Sequence, residues 1–382
     1  MKKQMLKLEV AVFALVTAAF TNIYITQPIL PVLQTEFGIS TVQVSLTVSL
    51  VILGIVISNL FFGYLSDRIS IHPILFTGGI LVAAGGFVCA ATHEFHILVG
   101  ARFIQGIFIP ALTTSLAAWL AKNLSKDRLS VVMGTYVAAT VLGGLTGRLL
   151  GGWIHPPLHW RYAFVSAALF VALASIFAMI SLPRSKRSSQ NIEVKHNGFL
   201  GLLTRKDLIW IYGTGASGLM IFSPVFNYLP YRLSVPPFSF STEMITLVYL
   251  VYILGIVLGP VAGKISVRFG AGNTMILGCL ALGVSFGLLL VPSVWAVILG
   301  LLSLCAGFFT IHATAVGLLN QKLTHSQGQA NALYVLFYYI GGWLGITLSG
   351  FAFEYMGWPG VVGTVAGMLA VPLITGIRER SL

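Results

Sequence analysis

Long apolar runs separated by short polar segments recur along the whole chain. An α-helix needs about 20 mostly apolar residues to cross the hydrocarbon core of a bilayer, and the runs approach or exceed that length. The pattern therefore predicts an all-α membrane protein with twelve transmembrane helices. These helices, called spans 1 to 12, are predicted over residues 8–33, 43–66, 73–92, 95–121, 129–154, 160–182, 208–232, 242–266, 273–291, 293–320, 327–353 and 357–377.

Basic residues fall almost entirely on alternate segments between the spans. With a cytoplasmic N-terminus, eighteen Lys and Arg residues lie inside, and two, Arg161 and Arg232, lie near outer ends. Cytoplasmic loops of membrane proteins carry such an excess. We therefore predict a multi-pass protein of the bacterial inner membrane with both termini in the cytoplasm. The same bias accounts for the net charge of +12, so the predicted surroundings are lipid, and no nucleic-acid partner is predicted.

The second half of the chain repeats the first. At an offset of 201 residues, Ile52–Val56 and Ile253–Val257 read the same. At an offset of 198, Tyr136 and four glycines of span 5 meet Tyr334 and four glycines of span 11. The repeat predicts two six-helix bundles of equal orientation, residues 1–182 and 208–382, joined by a cytoplasmic linker at 183–207. Parallel repeats of this kind place a substrate site at their interface near the bilayer midplane.

Three motifs stand at separate places in the first half. Span 2 ends in Gly63-Tyr-Leu-Ser-Asp67-Arg68, span 4 carries Arg102-x-x-Gln105-Gly106, and span 5 carries glycines at 143, 147, 151 and 152. With these motifs the chain resembles the major facilitator superfamily. Within it, the chain resembles the bacterial arabinose-efflux-like, YnfM-type inner membrane transport proteins, with which it shares Gln27-Pro28, Leu65-Ser-Asp67-Arg68, Gly143-Gly-x-x-Gly-Arg148-Leu, Asn227-Tyr228-x-x-Tyr231-Arg-Leu, Gly307-Phe-Phe, Gly328-Gln-Ala and Tyr338-Tyr339. The resemblance covers essentially the whole chain.

The resemblance implies alternating access between two rocking bundles, with a gate at Gly63, Asp67 and Arg68. In the family this Asp stabilises the outward-open state. A carboxylate at a helix end can also meet the N-terminal dipole of a neighbouring helix. The glycine motif of span 5 implies antiport, although Arg148 stands where the family has a Pro. Because glycines four apart let helices approach closely, we predict that span 5 packs on span 8 and span 2 on span 11.

Two cations lie within the spans, Arg102 and Arg148, and no carboxylate lies deep in any span. A buried cation is costly unless it faces a cavity or a partner. The pair therefore predicts an electropositive site that prefers an anionic, zwitterionic or acceptor-rich substrate. For Arg102 an alternative is open, in which it pairs with backbone carbonyls.

The predicted substrate-binding residues combine these cations with polar and aromatic groups in the spans. Proline-containing stretches of spans 1 and 7 predict helix breaks beside several of them. His312 alone lies mid-helix with an unperturbed pKa near neutrality, so it is also the predicted proton carrier, although it could merely bond a carbonyl. The predicted set is Asn22, Tyr24, Gln27, Arg102, Gln105, Arg148, Asn227, Tyr228, Tyr231, His312, Tyr334 and Tyr338.

These observations predict a secondary active transporter that exports a small organic solute in exchange for protons and works as a monomer. Uptake by a symporter or a uniporter of the same fold is the alternative. A membrane-embedded enzyme is disfavoured, because the sequence has no nucleophile cluster, no set of metal ligands and no glycine-rich phosphate loop. A sensor is disfavoured because we expect it to carry a soluble output domain, which this sequence does not show. We predict no cofactor and no metal.

Overall fold

The computed structural model describes residues 2–183, 199–323 and 326–381, and within them the backbone forms helices and no β-strand. The side chains of residues 2–4, 67, 126, 127 and 130 lie outside this description. The helices are α1 (Lys2–Tyr24), α2 (Leu30–Phe37), α3 (Thr41–Arg68), α4 (Ile71–Ala91), α5 (Phe95–Leu112), α6 (Thr114–Asn123), α7 (Lys126–Ile154), α8 (Arg161–Ser181), α9 (Phe199–Leu203), α10 (Lys206–Ser234), α11 (Thr242–Val248), α12 (Leu254–Phe269), α13 (Ala271–Leu290), α14 (Val294–Gln321), α15 (Gln327–Gly367) and α16 (Ala370–Arg380), with 3-10 turns at Gln27–Ile29 and Tyr249–Ile253.

Eleven helical stretches of the described residues are long and apolar enough to cross a membrane. The last runs over Gln327–Arg380 and covers two predicted spans, 327–353 and 357–377. It bends at Gly357, whose φ of 61° and ψ of −149° are not helical, and Pro359 follows. The structure therefore has eleven such stretches for twelve predicted spans because spans 11 and 12 are joined across a bend, and no span is missing from the described residues.

The helices group into two compact units. The first is drawn from the described residues of Met1–Ile39, Leu46–Ile192 and Thr242–Tyr249, and the second from those of Ser40–Ser45, Glu193–Ser241 and Leu250–Leu382. Much of the predicted linker at 183–207, namely 184–198, lies outside the described residues. Helix α9 and the start of α10 occupy its last part. The predicted domain boundaries and the cytoplasmic position of the linker stay predictions.

In the first unit, the glycine stripe of span 5 packs on span 1. A Cβ atom on Gly147 would lie 2.2 Å from the carbonyl oxygen of Thr21, and one on Gly143 would lie 2.5 Å from that of Thr17. Contacts this short leave no room for any side chain, so α7 and α1 touch through their backbones. Gly143 and Gly147 therefore pack on span 1 and not on span 8, although span 5 does contact span 8 as predicted. Gly152 alone of the stripe faces span 8, at Thr246.

The second unit repeats this packing internally. A Cβ on Gly341 would lie 1.9 Å from the carbonyl oxygen of Ala216, and one on Gly345 would lie 2.6 Å from that of Met220. Helix α15 therefore meets α10 as α7 meets α1. The internal repeat of the sequence thus extends to the close approach of corresponding backbones within each unit.

Proline affects the predicted helix breaks of spans 1 and 7 differently. The first span is interrupted after Tyr24 by the 3-10 turn that contains Pro28, as predicted. Helix α10 instead runs unbroken through Pro224 and Pro230, so the predicted break in span 7 is wrong. Prolines are tolerated within membrane helices where neighbouring groups satisfy the carbonyls they leave without a partner.

Candidate functional site

Arg102 is a fully buried cation held mainly by backbone carbonyls. It lies on α5, and its side chain has 0% exposure. Nε donates to the carbonyl oxygen of Thr47 at 2.8 Å, Nη1 to that of Asn22 at 2.6 Å, and Nη2 to that of Ile23 at 2.8 Å. Nη1 also donates to Oε1 of Gln105 at 2.8 Å. This arrangement matches the alternative in which Arg102 pairs with carbonyls. Its role in substrate binding stays a prediction.

Gln105 completes the same network. Its Nε2 donates to the carbonyl oxygen of Val82 at 2.9 Å and to Oδ1 of Asn22 at 3.3 Å. Asn22 in turn donates from Nδ2 to the carbonyl oxygen of Ala18 at 2.9 Å. The three predicted residues Asn22, Arg102 and Gln105 are therefore brought together, and they join α1, α3, α4 and α5 through buried hydrogen bonds.

Arg148 forms a separate cluster in the first unit. It lies on α7 with 2% exposure. Nε donates to Oε1 of Gln27 at 2.8 Å, and Nη1 donates to the carbonyl oxygen of Gly144 at 2.8 Å. The guanidinium carbon lies 4.3 Å from the ring centre of Tyr24 and 5.4 Å from that of Tyr249. Tyr24, Gln27 and Arg148 were predicted together, whereas Tyr249 was missed because an aromatic residue in an apolar run carries no distinctive signal.

His312 sits in an aromatic cluster of the second unit. Its Nδ1 and the hydroxyl oxygen of Tyr334 are 2.9 Å apart. Its ring stacks on that of Phe308, with the ring centres 5.8 Å apart and the ring planes 8° apart. The centre of the Tyr338 ring lies 5.0 Å from that of His312. The structure thus brings together the predicted His312, Tyr334 and Tyr338. Phe308, which sequence reasoning missed as a site residue, also stacks on Phe222 at 4.0 Å, and the Gly-Phe-Phe sequence at 307–309 is the only signal of it.

The predicted residues of span 7 belong to the second unit, which includes Ser45. Asn227 donates from Nδ2 to Oγ of Ser45 at 3.1 Å, while its Oδ1 is buried without a hydrogen-bond partner. Tyr228 donates to the carbonyl oxygen of Ile346 at 2.8 Å. The buried hydroxyl of Tyr231 also has no hydrogen-bond partner. Asn227 and Tyr231 therefore keep unmet hydrogen-bonding capacity, and their role in substrate binding stays a prediction.

The predicted gate residues stand at the C-terminal end of α3. The side chain of Asp67 lies outside the described residues, so its gating role stays a prediction. Arg68 is exposed and lies 4.4 Å from the ring centre of Tyr64. A Cβ on Gly63 would lie 3.8 Å from Thr114, which is an ordinary contact. A close helix approach therefore does not explain this glycine.

A polar cluster at the opposite end of the first unit was not predicted. Glu36 forms an ion pair with Arg161 at 2.8 Å and accepts a hydrogen bond from Nε1 of Trp160. Arg161 also donates from Nη2 to the carbonyl oxygen of Thr92 at 2.9 Å. The cluster ties the end of α2 to the start of α8 and to the loop after α4. The sequence placed Arg161 only near an outer end, because its partners are distant along the chain.

Comparisons with known proteins agree with the geometry of two helical units. The family model described as Major Facilitator Superfamily matches residues 12–346. The inner membrane transport protein YnfM of Escherichia coli (strain K12) is 29% identical over 378 residues, covering 98% of this chain and 91% of that protein. The MFS-type transporter YybF of Bacillus subtilis (strain 168) is 28% identical over 384 residues, covering 98% and 94% respectively.

Solved structures share the fold. A bacterial homolog of the human lysosomal transporter Spinster, in an inward-facing and occupied conformation, superposes with a TM-score of 0.74. The alignment covers 98% of this chain and 94% of that one at 14% sequence identity. At this identity the likeness concerns the fold alone. The predicted resemblance and the predicted all-α transporter fold are confirmed.

Proposed function

This chain belongs to the major facilitator superfamily, and from that premise we propose that it exports a small organic solute in exchange for protons. Membership itself indicates a multi-pass membrane protein that performs secondary transport of a solute. The direction of transport, the coupling to protons and the bacterial inner membrane as its location are parts of the proposal. So are cytoplasmic termini, a monomeric working unit and a gate at Gly63, Asp67 and Arg68.

The observation that carries the coupling proposal is the environment of His312. It lies within α14, and its Nδ1 is 2.9 Å from the hydroxyl oxygen of Tyr334. An imidazole is the side chain whose unperturbed pKa lies nearest neutrality. The other histidines of the described spans, His72 and His96, each stand second in their helices. His312 is therefore the described histidine that lies deep in a span.

The hydrogen bond to Tyr334 supplies a mechanism. When Nδ1 of a neutral His312 accepts, the Tyr334 hydroxyl donates. When His312 is protonated, both ring nitrogens are donors, and the hydroxyl must turn and accept. Proton uptake thus reverses a bond between α14 and α15. A proton that favours one conformation in this way shifts the population between the conformations of a transport cycle.

Proton coupling can be tested without knowing the cargo in advance. Proteoliposomes that hold a pH gradient and a lumenal pH dye are challenged with a panel of small organic acids, amides and amines. For an exchanger, entry of the cargo releases lumenal protons and shifts the dye signal in the alkaline direction. A symporter would carry protons inward with the cargo, and a uniporter would leave the lumenal pH unchanged.

The His312→Gln variant separates coupling from binding. Gln keeps a polar side chain and removes the titration, so solute-for-solute exchange should persist while the solute-induced proton signal is lost. His96→Gln is the matched control, because His96 is exposed at a helix start and should leave both activities unchanged. An unaltered proton signal in His312→Gln would contradict the assignment of His312.

A further inference from the structure

The two buried arginines of the first unit are held in different ways. Every guanidinium nitrogen of Arg102 donates to a main-chain carbonyl oxygen of α1 or α3. Those carbonyls belong to helices and cannot leave without unwinding them, so Arg102 is part of the framework. The hydrogen bonds described for Arg148 go instead to one side-chain amide, Gln27, and to Gly144 in its own helix.

The orientation of the Gln27 amide follows from chemistry. A guanidinium offers only N–H donors, so the atom of Gln27 that faces Arg148 must be the oxygen, Oε1. The amide nitrogen Nε2 is bonded to the same carbon and points elsewhere. Gln27 has 0% exposure, and its Nε2 has no hydrogen-bond partner. A buried donor without an acceptor is costly to maintain, so this amide indicates a place for an acceptor beside Arg148.

Aromatic rings complete the surroundings. The guanidinium carbon of Arg148 lies over the faces of Tyr24 and Tyr249. Ring faces attract a cation through their quadrupole. The sequence has no Asp or Glu at residues 10–35 or 129–154, and Glu36 is engaged by Arg161. Spans 1 and 5 therefore contribute no carboxylate within these ranges, and span 8, which carries Tyr249, has Glu243 at its start.

We infer that Arg148, Gln27, Tyr24 and Tyr249 form a subsite for the carboxylate group of a small organic anion, which is the transported solute. The inference rests on the proposed transport function, because it takes the ligand to be the cargo. The carboxylate oxygens accept from the guanidinium of Arg148 and from Nε2 of Gln27, and the rings pack against the apolar part. A carboxylate brings a charge opposite to that of Arg148 and an acceptor for Nε2 of Gln27, whereas a phosphate dianion would bury a second negative charge, which is costly within a membrane.

Matched ligand pairs test the charge requirement in the purified protein. The Tm of the protein in detergent is measured with each of three carboxylates and with the matching amide: benzoate and benzamide, phenylacetate and phenylacetamide, and hexanoate and hexanamide. Phenyl phosphate is added as a dianion. At least one carboxylate should raise Tm by about 2 °C or more, and its amide and phenyl phosphate should not. Arg148→Gln should lose that response. If no carboxylate differs from its amide, or if Arg148→Gln responds like the native protein, the subsite is refuted.

A second variant tests the subsite without any ligand. Gln27→Glu places a carboxylate beside Arg148 and sacrifices no hydrogen bond made by Nε2. It should raise Tm in the absence of ligand and abolish the carboxylate response. Gln105→Glu is the matched control beside Arg102, where Nε2 donates to Val82 and Asn22. Loss of those bonds should lower Tm.

The outcomes separate this inference from the proposed export. A lower or unchanged Tm for Gln27→Glu, or a retained carboxylate response, overturns the subsite. Because binding in detergent involves no gradient, that result leaves solute-driven proton movement in proteoliposomes to be judged separately. Conversely, carboxylate binding that depends on Arg148, together with no proton signal, supports the subsite and rejects proton exchange.

Discussion

Backbone contact between α7 and α1 makes Gly147→Ala a sharp test of the packing. The added Cβ would lie 2.2 Å from the carbonyl oxygen of Thr21 and 3.2 Å from its Cα. Carbon and oxygen atoms in the closest helix contacts are about 3.3 Å apart, so the helices must separate locally by roughly 1 Å. Nothing flexible can yield instead, because the obstructing atoms belong to the backbone.

The magnitude follows from what separation disturbs. Overpacking a tight interior typically costs about 1–3 kcal/mol, and the displaced α1 carries Asn22 and Ile23, whose carbonyls hold Arg102. An alanine in a helix is itself favoured over glycine by roughly 1 kcal/mol, which offsets part of the loss. We expect a net destabilisation of up to about 2 kcal/mol, at the upper end if the Arg102 network is strained.

Gly134→Ala is the matched control, since Gly134 lies on the same helix and a Cβ there meets nothing within 4 Å. Thermal unfolding in detergent, followed by the retention of a monodisperse peak on size-exclusion chromatography, should show a lower Tm for Gly147→Ala. Gly134→Ala should be as stable as the native protein or more so. Equal stability of the two variants would refute the reasoning that α7 and α1 meet backbone to backbone.

Three further predictions concern polar contacts. Arg102→Lys keeps the charge but cannot reach all three carbonyls, and each unmet carbonyl should cost about 1–3 kcal/mol of stability. The variant should therefore have a markedly lower Tm. A Tm equal to that of the native protein would count against a framework role. Asp67→Asn should slow transport strongly at normal membrane abundance, whereas Val267→Ala, at the corresponding position of the repeat, should leave the transport rate almost unchanged. Equal losses of transport in the two variants would exclude a one-sided gate. Glu36→Gln removes the ion pair with Arg161 and should lower Tm by a few degrees. This decrease in Tm should be smaller in high salt, which screens the native pair. A Tm unaffected by the substitution would show that the pair contributes no stability.

Several features of the fold and the site were readable in the chain because they depend on short-range patterns. The apolar runs predicted the helices, since a helix crossing lipid must satisfy its own backbone and present apolar side chains. The motifs predicted the family, and the break at Pro28 followed from the local chemistry of proline. The clustering of Asn22, Arg102 and Gln105 could be anticipated in part, because three-residue spacing places Arg102 and Gln105 on one helix face.

Other features depended on partners that lie far away along the chain. The stripe of Gly143 and Gly147 indicated a close helix approach, but it did not identify α1 as the neighbour. The prolines of α10 indicated a break that its surroundings do not produce. Both errors have one cause: local sequence states what a helix can tolerate, and its neighbours decide what it does.

The sequence by itself determined a membrane-embedded, all-α, internally repeated chain of the major facilitator superfamily, because hydropathy, repetition and motif spacing are properties of the chain alone. Only the tertiary structure decided that two similar intramembrane arginines have different surroundings. Arg102 meets three main-chain carbonyls, whereas Arg148 meets an amide with an unmet donor and two tyrosine rings. Those surroundings include residues far along the chain, as Gln27 is 121 positions from Arg148. Hydrogen bonds and ring contacts between such residues form only once packing has brought the helices together.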